Sequence, residues 1–210
     1  AHVPYGPRSL REIRGFSVAI TGFLLDLGAK VIVVACNTAS GAALQHLRAT
    51  YSDVPFVGME PAVKPAAKRT ESGVVGVLAT PMTFEGQLFK RLVQRFGQDV
   101  EIHTQVCPGL VEAVEGDQVA APETQARLRA CLAPLLAAGM DQLVLGCTHY
   151  PFLQPSIQAL VGPSVTIIDP APAVARQVGR ILERYGRLRR TLSGVEHRFY
   201  TSGSPTTDRK

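Results

Sequence analysis

The sequence predicts an α/β protein with parallel β-sheets. Short apolar runs alternate with longer amphipathic stretches along most of the chain, and this alternation is typical of βα units. The runs are continuously apolar, as in residues 31–34 (Val-Ile-Val-Val), which favours strands buried on both faces of a sheet. A weak internal repeat, described below, further indicates two similar halves.

The individual elements follow from the same periodicity. Strands are predicted at residues 30–35, 54–58, 74–78, 100–106, 142–146 and 165–168, with a last strand at a sheet edge at 196–201. Helices are predicted near residues 10–27, 39–51, 61–70, 84–96, 122–138, 152–160 and 173–185. The helices that precede Gly28 and Gly139 end at a usual helix C-terminal signal.

Composition bounds the class of protein. The chain has 210 residues, of which 46% are hydrophobic and 19% charged, and this is ordinary for a globular enzyme with a buried core. No apolar run approaches the roughly 18 residues that span a bilayer. The first residues also lack the basic start and apolar core of a secretory signal. We therefore expect a cytoplasmic protein without a membrane segment.

The net charge is +5, and basic residues gather near the C-terminus. The four arginines there are Arg184, Arg187, Arg189 and Arg190. One interpretation is a patch for nucleic acid or a partner. The other is a solvated helix end, whose cations suit the negative end of the helix dipole. Because no aromatic platform, RNA-binding signature or zinc-finger spacing accompanies the run, the pattern favours solvated surface over nucleic-acid binding.

The four cysteines are Cys36, Cys107, Cys131 and Cys147. They show no CxxC pairing and no histidine at zinc spacing, so a structural metal site is not expected. Without a secretory signal a disulfide framework is not expected either, and we predict four free thiols. Buried packing is the favoured interpretation for Cys107 and Cys131.

Cys36 and Cys147 stand at equivalent points of the repeat. In the first copy a helix ends at Gly28, a buried strand follows, and Cys36 comes eight residues after the glycine. In the second copy a helix ends at Gly139, a strand follows, and Cys147 again comes eight residues after the glycine. Polar residues follow both cysteines, and such residues directly after buried strands usually have a function.

This placement suits proton transfer at a carbon centre. Ligands of open parallel sheets bind beyond the carboxyl ends of the strands, where both thiols are expected. A helix N-terminus next to each thiol would stabilise its thiolate. If the two halves face each other, one thiolate removes a proton from a bound carbon and the opposite thiol returns one from the other face.

Three segments resemble signature segments of the glutamate racemase family. They are residues 3–9 (Val-Pro-Tyr-Gly-Pro-Arg-Ser), 34–40 (Val-Ala-Cys-Asn-Thr-Ala-Ser) and 145–151 (Leu-Gly-Cys-Thr-His-Tyr-Pro). The resemblance implies two pseudo-symmetric parallel-sheet α/β domains with the active site between them. It further implies a cytoplasmic homodimer that interconverts L- and D-glutamate without pyridoxal phosphate, metal or any other cofactor, and so supplies D-glutamate for peptidoglycan.

The resemblance also implies roles for four catalytic residues. Cys147 would deprotonate L-glutamate, and Cys36 would reprotonate the carbon to give D-glutamate. His149 would assist the second thiol, and Glu115 would be the carboxylate that serves it. The pattern around Glu115 is loose, so neighbouring Glu112 stays open as an alternative, as does an exposed helix glutamate without a function.

Substrate contacts are implied by the same resemblance. The backbone around Tyr5 and Gly6 would hold the side-chain carboxylate, and Thr80 and Thr83 would be further donors to it. Groups that would bind the amino and carboxylate ends are Asn37, Thr38 and Thr148. Neutral donors of this kind hold a dicarboxylate while leaving few fixed positive charges to quench the thiolates.

Domain boundaries are expected at two X-Pro steps, Glu60-Pro61 and Asp169-Pro170, because a residue before proline is biased away from helix. Residues 1–59 plus 169–210 would form the first α/β domain, and residues 60–168 the second. The family's opening glycine-rich strand-turn, with an aspartate that serves the first cysteine, is not in the sequence, nor is the helix that follows it. We therefore interpret the chain as a fragment. If it were the whole protein, its activity would be in question.

Two other functions stay open. One is a two-cysteine racemase of the same superfamily that acts on aspartate or a related acid, although residues 3–9 and 34–40 argue against it. The other is a catalytically silent binding protein, which the absent opening segment and the basic C-terminal region support.

Overall fold

The computed structural model describes residues 5, 8–189, 191 and 194–203. Its strands are β1 Ile32–Val34, β2 Phe56–Gly58, β3 Val74–Leu78, β4 Glu101–Gln105, β5 Gln142–Leu145 and β6 Thr166–Ile168. Its α-helices are α1 Leu10–Asp26, α2 Asn37–Thr50, α3 Val63–Arg69, α4 Pro81–Glu85, α5 Gln87–Phe96, α6 Leu110–Glu115, α7 Pro122–Ala137, α8 Gln154–Val161 and α9 Ala171–Arg184. A 3₁₀ helix, Tyr150–Leu153, precedes α8.

The strands form two parallel sheets. β1 pairs with β2 in one of them, with Ile32 opposite Phe56. The other has the order β4-β3-β5-β6, and all of its strand pairs are parallel. The predicted α/β class with parallel sheets is therefore confirmed.

The two-stranded sheet packs against α2, and α2 packs against α1. Its core is formed by Ile32, Ala43, Leu47 and Phe56, all of them buried. α1 begins with a capping box, in which the Glu12 N–H donates to Ser9 Oγ and the Ser9 N–H donates to Glu12 Oε2. Such a cap stabilises a helix by about 1 kcal/mol.

The four-stranded sheet carries the larger core. All four residues of β5 are buried, as expected of a central strand covered by helices on both faces. On one face, Leu143 and Leu145 pack with Leu132 of α7 and Ile157 of α8. On the other face, Val144 packs with residues of α3 and α5. This double coverage holds the end of β5 in a fixed position.

The two sheets use separate parts of the chain. Residues 32–58 contribute β1 and β2, whereas residues 74–168 contribute β3 to β6. α9 follows β6 and returns to contact β2. The domain boundaries, 1–59 plus 169–210 against 60–168, stay a prediction. None of the described helices is long and apolar enough to cross a membrane.

Three elements differ from the expectation. The single helix predicted near 84–96 is broken at Gly86, whose extended backbone (φ −64°, ψ 138°) separates α4 from α5. Helix α6 was not predicted, because six residues are too few to show a helical period. The edge strand predicted at 196–201 is wrong: these residues pair with no strand, and Phe199 is 92% exposed.

Cys107 and Cys131 correct the prediction of four free thiols. The two residues form a disulfide, with their Cα atoms 5.9 Å apart. Both are buried in the core of the larger sheet, as expected. Cys107 lies just before α6 and Cys131 lies on α7, so the disulfide ties these helices together. Cys36 and Cys147 are free thiols.

We predict that truncating Leu132 to alanine lowers the free energy of unfolding by about 2–5 kcal/mol, because the change leaves a cavity in a close-packed core. Leu132 is fully buried, whereas Leu136, one turn later on α7, is 39% exposed. Leu136→Ala is thus a matched control, with an expected loss below about 1 kcal/mol. Urea unfolding measures both, and equal losses would contradict the packing described here.

Candidate active site

Each free thiol follows a parallel strand at its carboxyl end. Cys36 comes two residues after β1, is half-buried, and is the residue before the first turn of α2. Cys147 comes two residues after β5 and is buried. Both cysteines thus occupy the strand ends at which ligands of parallel sheets bind.

Gly146 explains how Cys147 reaches this position. A Cβ atom at residue 146 would lie 2.8 Å from both the Leu78 carbonyl oxygen and the Ala79 Cβ at the end of β3. The Gly146 N–H donates to that carbonyl at 2.7 Å. Only glycine allows β5 to approach β3 this closely before the chain turns to Cys147.

The charge on Cys36 affects the pKa of the Cys147 thiol. Burial is the main cause that raises the pKa of Cys147 to about 11, and a thiolate at Cys36 raises it further. The backbone N–H groups of His149 and Tyr150 oppose this by hydrogen bonding to the sulfur. Burial and then Cys36 also raise the pKa of Tyr5, which Arg8 lowers. Tyr5, Cys36 and Cys147 therefore belong to one electrostatic site.

A chain of polar groups leads from Cys147 to the surface. Cys147 Sγ lies 3.7 Å from His149 Nδ1, and His149 Nε2 lies 2.6 Å from Glu115 Oε1. His149 is mostly buried, whereas Glu115 at the end of α6 is about half exposed. Of the two glutamates that the sequence left open, Glu115 is the one that contacts His149. This arrangement is able to carry a proton between the buried thiol and solvent.

Three threonine hydroxyls meet between α2 and α4. Thr38 Oγ1 lies 3.0 Å from Thr80 Oγ1 and 3.2 Å from Thr83 Oγ1, and the last two oxygens are 3.1 Å apart. We call these residues the hydroxyl cluster. Thr38 stands in the first turn of α2, so the cluster joins the end of β1 to the segment that follows β3.

Asn37 is buried, and neither its amide nitrogen nor its amide oxygen has a hydrogen-bond partner. Buried amide groups in proteins are nearly always paired, since an unpaired one costs about 1–3 kcal/mol. Its position next to Cys36 leaves the side chain able to donate to one ligand atom and accept from another. Thr148, next to Cys147, is half-buried. Gly6 lies outside the described residues.

Tyr150 is a further residue of the site that was not expected from the sequence. This side chain is almost completely buried beside Cys147, and burial, Cys147 and then Glu112 all raise its pKa. Only its place in the segment 145–151 could have indicated it, because a buried tyrosine looks like ordinary core in a sequence.

Comparison with known proteins places these features in a family. The family model described as Asp/Glu/hydantoin racemase matches residues 1–178. The glutamate racemase of Roseiflexus sp. (strain RS-1) is 52% identical over 197 residues, which are 93% of this chain and 72% of that protein.

Two solved structures share the fold. Glutamate racemase isoform RacE1 from Bacillus anthracis matches with a TM-score of 0.87 and 34% identity, over 98% of this chain and 77% of that one. Glutamate racemase from Francisella tularensis, in complex with D-glutamate, matches with a TM-score of 0.82 and 26% identity, over 98% and 76%. The chain thus spans about three quarters of the length of these relatives.

We predict that alkylation of Cys147 by iodoacetamide accelerates with pH up to about 11, because its raised pKa keeps the thiol protonated at pH values where an ordinary thiol, with a pKa of 9.0, is ionised. In Cys36→Ser the midpoint should move to lower pH, since the charge at residue 36 is gone, yet stay above 9.0 because burial remains. Mass spectrometry of the modified peptide gives both midpoints. An unchanged midpoint in the variant would contradict the coupling of the two thiols.

Proposed function

We propose that this chain, which belongs to the Asp/Glu/hydantoin racemase family, interconverts L- and D-glutamate by proton transfer between Cys36 and Cys147. The observation that carries the proposal is the position of both free thiols at the carboxyl ends of parallel strands, one of them linked through His149 to Glu115. The names of the relatives supply the substrate, and the geometry supports the two-thiol chemistry.

The first step is removal of the α-proton of L-glutamate by the Cys147 thiolate. To form this thiolate, the Cys147 thiol first passes its proton to His149. The carboxylate of Glu115, at 2.6 Å, stabilises the resulting imidazolium. A thiolate of raised pKa is a stronger base than an ordinary one, which suits it to a weakly acidic carbon. The C–H electron pair stays on the α-carbon, and the new S–H bond forms on Cys147.

The second step is delivery of a proton from the Cys36 thiol to the opposite face of the α-carbon, which gives D-glutamate and a Cys36 thiolate. Because a negative charge on one sulfur disfavours a charge on the other, Cys147 keeps its new proton while Cys36 is a thiolate. With Cys36 as the thiolate and Cys147 as the thiol, the site is ready for the reverse reaction. Proton exchange with solvent restores the Cys147 thiolate and the Cys36 thiol for another L-glutamate.

Neutral groups would hold the substrate. Asn37 offers an unpaired amide, and the hydroxyl cluster offers donors at the junction of α2 and α4. We assign Asn37, Thr38 and Thr148 to the amino and α-carboxylate groups. We assign Thr80, Thr83 and the backbone of Tyr5 and Gly6 to the distal carboxylate. In the cell the product would serve peptidoglycan synthesis in the cytoplasm, and the enzyme would act as a homodimer.

Replacing either cysteine by serine should abolish racemisation, because a hydroxyl is a far weaker acid than a thiol and the cycle needs both groups. A variant with one intact thiol should still eliminate the leaving group of a β-substituted glutamate, since elimination needs only the base. Cys36→Ser should spare the L-enantiomer and Cys147→Ser the D-enantiomer. The control is the wild-type protein with each enantiomer.

Retention of near-normal racemisation by both variants in deuterated water would exclude the two-thiol mechanism. Racemisation of L-aspartate in preference to L-glutamate would instead support the related amino-acid racemase. Binding of glutamate without proton exchange would support a silent binding protein.

Glu115→Gln should lower kcat/KM roughly 10-fold or more, because the His149 imidazolium loses its carboxylate partner. Both reaction directions should fall equally, since the two enantiomers are equal in energy. The rising limb of the profile of kcat/KM against pH should also move to higher pH, because the thiolate then forms less readily. Glu112→Gln, one turn earlier on α6, is the matched control and should stay near wild type. Equal effects of the two changes would contradict the role of Glu115.

A further inference from the structure

The thiol of Cys36 is carried by the short turn between β1 and α2 and is half-buried. The backbone of Cys36 is extended (φ −141°, ψ 129°), and in the described part of the chain its side chain makes no capping hydrogen bond to α2. The position of the sulfur therefore depends on what holds the backbone around it. Proton transfer tolerates little displacement, since a shift of about 1 Å costs up to roughly 100-fold in rate.

Ser40 holds that backbone at two points. It lies in α2, one turn after Cys36, and is 3% exposed. Its Oγ donates to the Val34 carbonyl at 2.9 Å and accepts from the Met59 N–H at 2.9 Å. Its own N–H donates to the Cys36 carbonyl at 2.8 Å. One buried residue thus fixes the chain two residues before Cys36 and at Cys36 itself.

The two groups that the Ser40 hydroxyl joins stand at the end of the strand ladder. Val34 is opposite Gly58 in the parallel register of β1 and β2. In that register the Met59 N–H is the next backbone donor, and the Val34 carbonyl is its matching acceptor. Ser40 Oγ lies between these groups and bonds to each. A side chain of α2 therefore completes the ladder at the strand end that leads to Cys36.

Gly58 lets α2 come close enough for this bridge. A Cβ atom at residue 58 would overlap Leu44 Cδ2 and would lie 3.3 Å from Ser40 Oγ. A larger residue would have to displace Leu44 or move α2 away from β2. This close approach is independent of the hydrogen bonds, and it places the Ser40 hydroxyl at the same junction of β1, β2 and α2.

Cys147 is held in a different way. The residue before it, Gly146, donates its N–H directly to the Leu78 carbonyl at 2.7 Å, so backbone groups alone continue the ladder of β3 and β5. All four residues of β5 are also buried. Loss of the Ser40 hydroxyl should therefore affect the thiol of Cys36 and leave the thiol of Cys147 in place.

We propose that Ser40 is the positioning residue for Cys36, whose hydroxyl fixes the end of β1 so that this thiol meets its own face of the substrate carbon. Ser40 acts through the backbone and exchanges no proton with the substrate. The catalytic consequence rests on the proposed racemase function, whereas the effect on the Cys36 thiol does not. The step in which Cys36 is the acid or base depends on Ser40, and the step at Cys147 does not.

Ser40→Ala removes the hydroxyl and both of its hydrogen bonds, and alanine suits a helix better than serine does. Thr70→Val is the control, because it removes a half-buried hydroxyl that donates to Asp141 at the amino end of β5, the end opposite to the thiols. The first measurement is the rate at which iodoacetamide alkylates Cys36 and Cys147 near neutral pH, read by mass spectrometry of the two peptides. Circular dichroism confirms that each variant is folded.

We expect Cys36 to react about 5-fold faster or more in Ser40→Ala, because local opening of the turn that carries it becomes easier. Cys147 should keep its wild-type rate, and Thr70→Val should change neither rate. Ser40→Thr retains the hydroxyl and should react as wild type does. Equal changes at both cysteines, no change at Cys36, or a Ser40→Thr variant that behaves like Ser40→Ala would each overturn the proposal.

The second measurement is elimination from the two enantiomers of a β-substituted glutamate, for which Cys36 is the base with the D-enantiomer and Cys147 with the L-enantiomer. Ser40→Ala should lower kcat for the D-enantiomer about 10-fold or more and leave kcat for the L-enantiomer within about twofold of wild type. A rise in KM for both enantiomers at unchanged kcat would show a role in substrate binding and overturn the proposal. If the wild-type protein eliminates from neither enantiomer, the racemase function fails, and the alkylation rates still decide the role of Ser40.

Discussion

The rest of the structure depends on one electrostatic restriction: a thiolate at half-buried Cys36 and a thiolate at buried Cys147 disfavour each other. Burial opposes ionisation of Cys147, and a thiolate at Cys36 opposes it further. When one sulfur of such a pair is ionised, the other is held in its protonated form, so the ionised pair consists of one base and one acid. Such an asymmetric pair is what inversion of a carbon centre requires, because one face must lose a proton while the other gains one.

Local features around Cys147 determine its burial, the pKa of its thiol and its access to solvent protons. Gly146 lets β5 approach β3, which holds Cys147 inside the buried layer rather than at its surface. The backbone N–H groups of His149 and Tyr150 hydrogen-bond to the sulfur and so offset part of the rise in the pKa of Cys147. The contact from His149 to Glu115 then connects a dry site to solvent protons. Burial makes the thiolate a strong base, but without the contact from His149 to Glu115 the buried sulfur would be isolated from the protons of the solvent.

The sequence allowed much of this to be predicted. Short apolar runs located the strands, and the signal is clearest where a strand is buried on both faces, as β5 is. The repeat around Cys36 and Cys147 placed both thiols at strand ends for the same local reason. The disulfide of Cys107 with Cys131 was not predictable, because the two residues are 24 apart in the chain and lie on different elements.

The hydroxyl cluster has a consequence for how tightly the two halves hold together. Three hydroxyl groups have three protons to donate, and the three hydrogen bonds among Thr38, Thr80 and Thr83 require all of them. A carboxylate that arrives among these side chains accepts protons and has none to give. Two of these contacts join Thr38 of α2 to the start of α4, so a hydrogen bond that the ligand takes from either of them weakens the link between α2 and α4. The same hydroxyl protons bind the ligand and join α2 to α4. This junction is therefore most rigid without a ligand and becomes less rigid when a ligand binds.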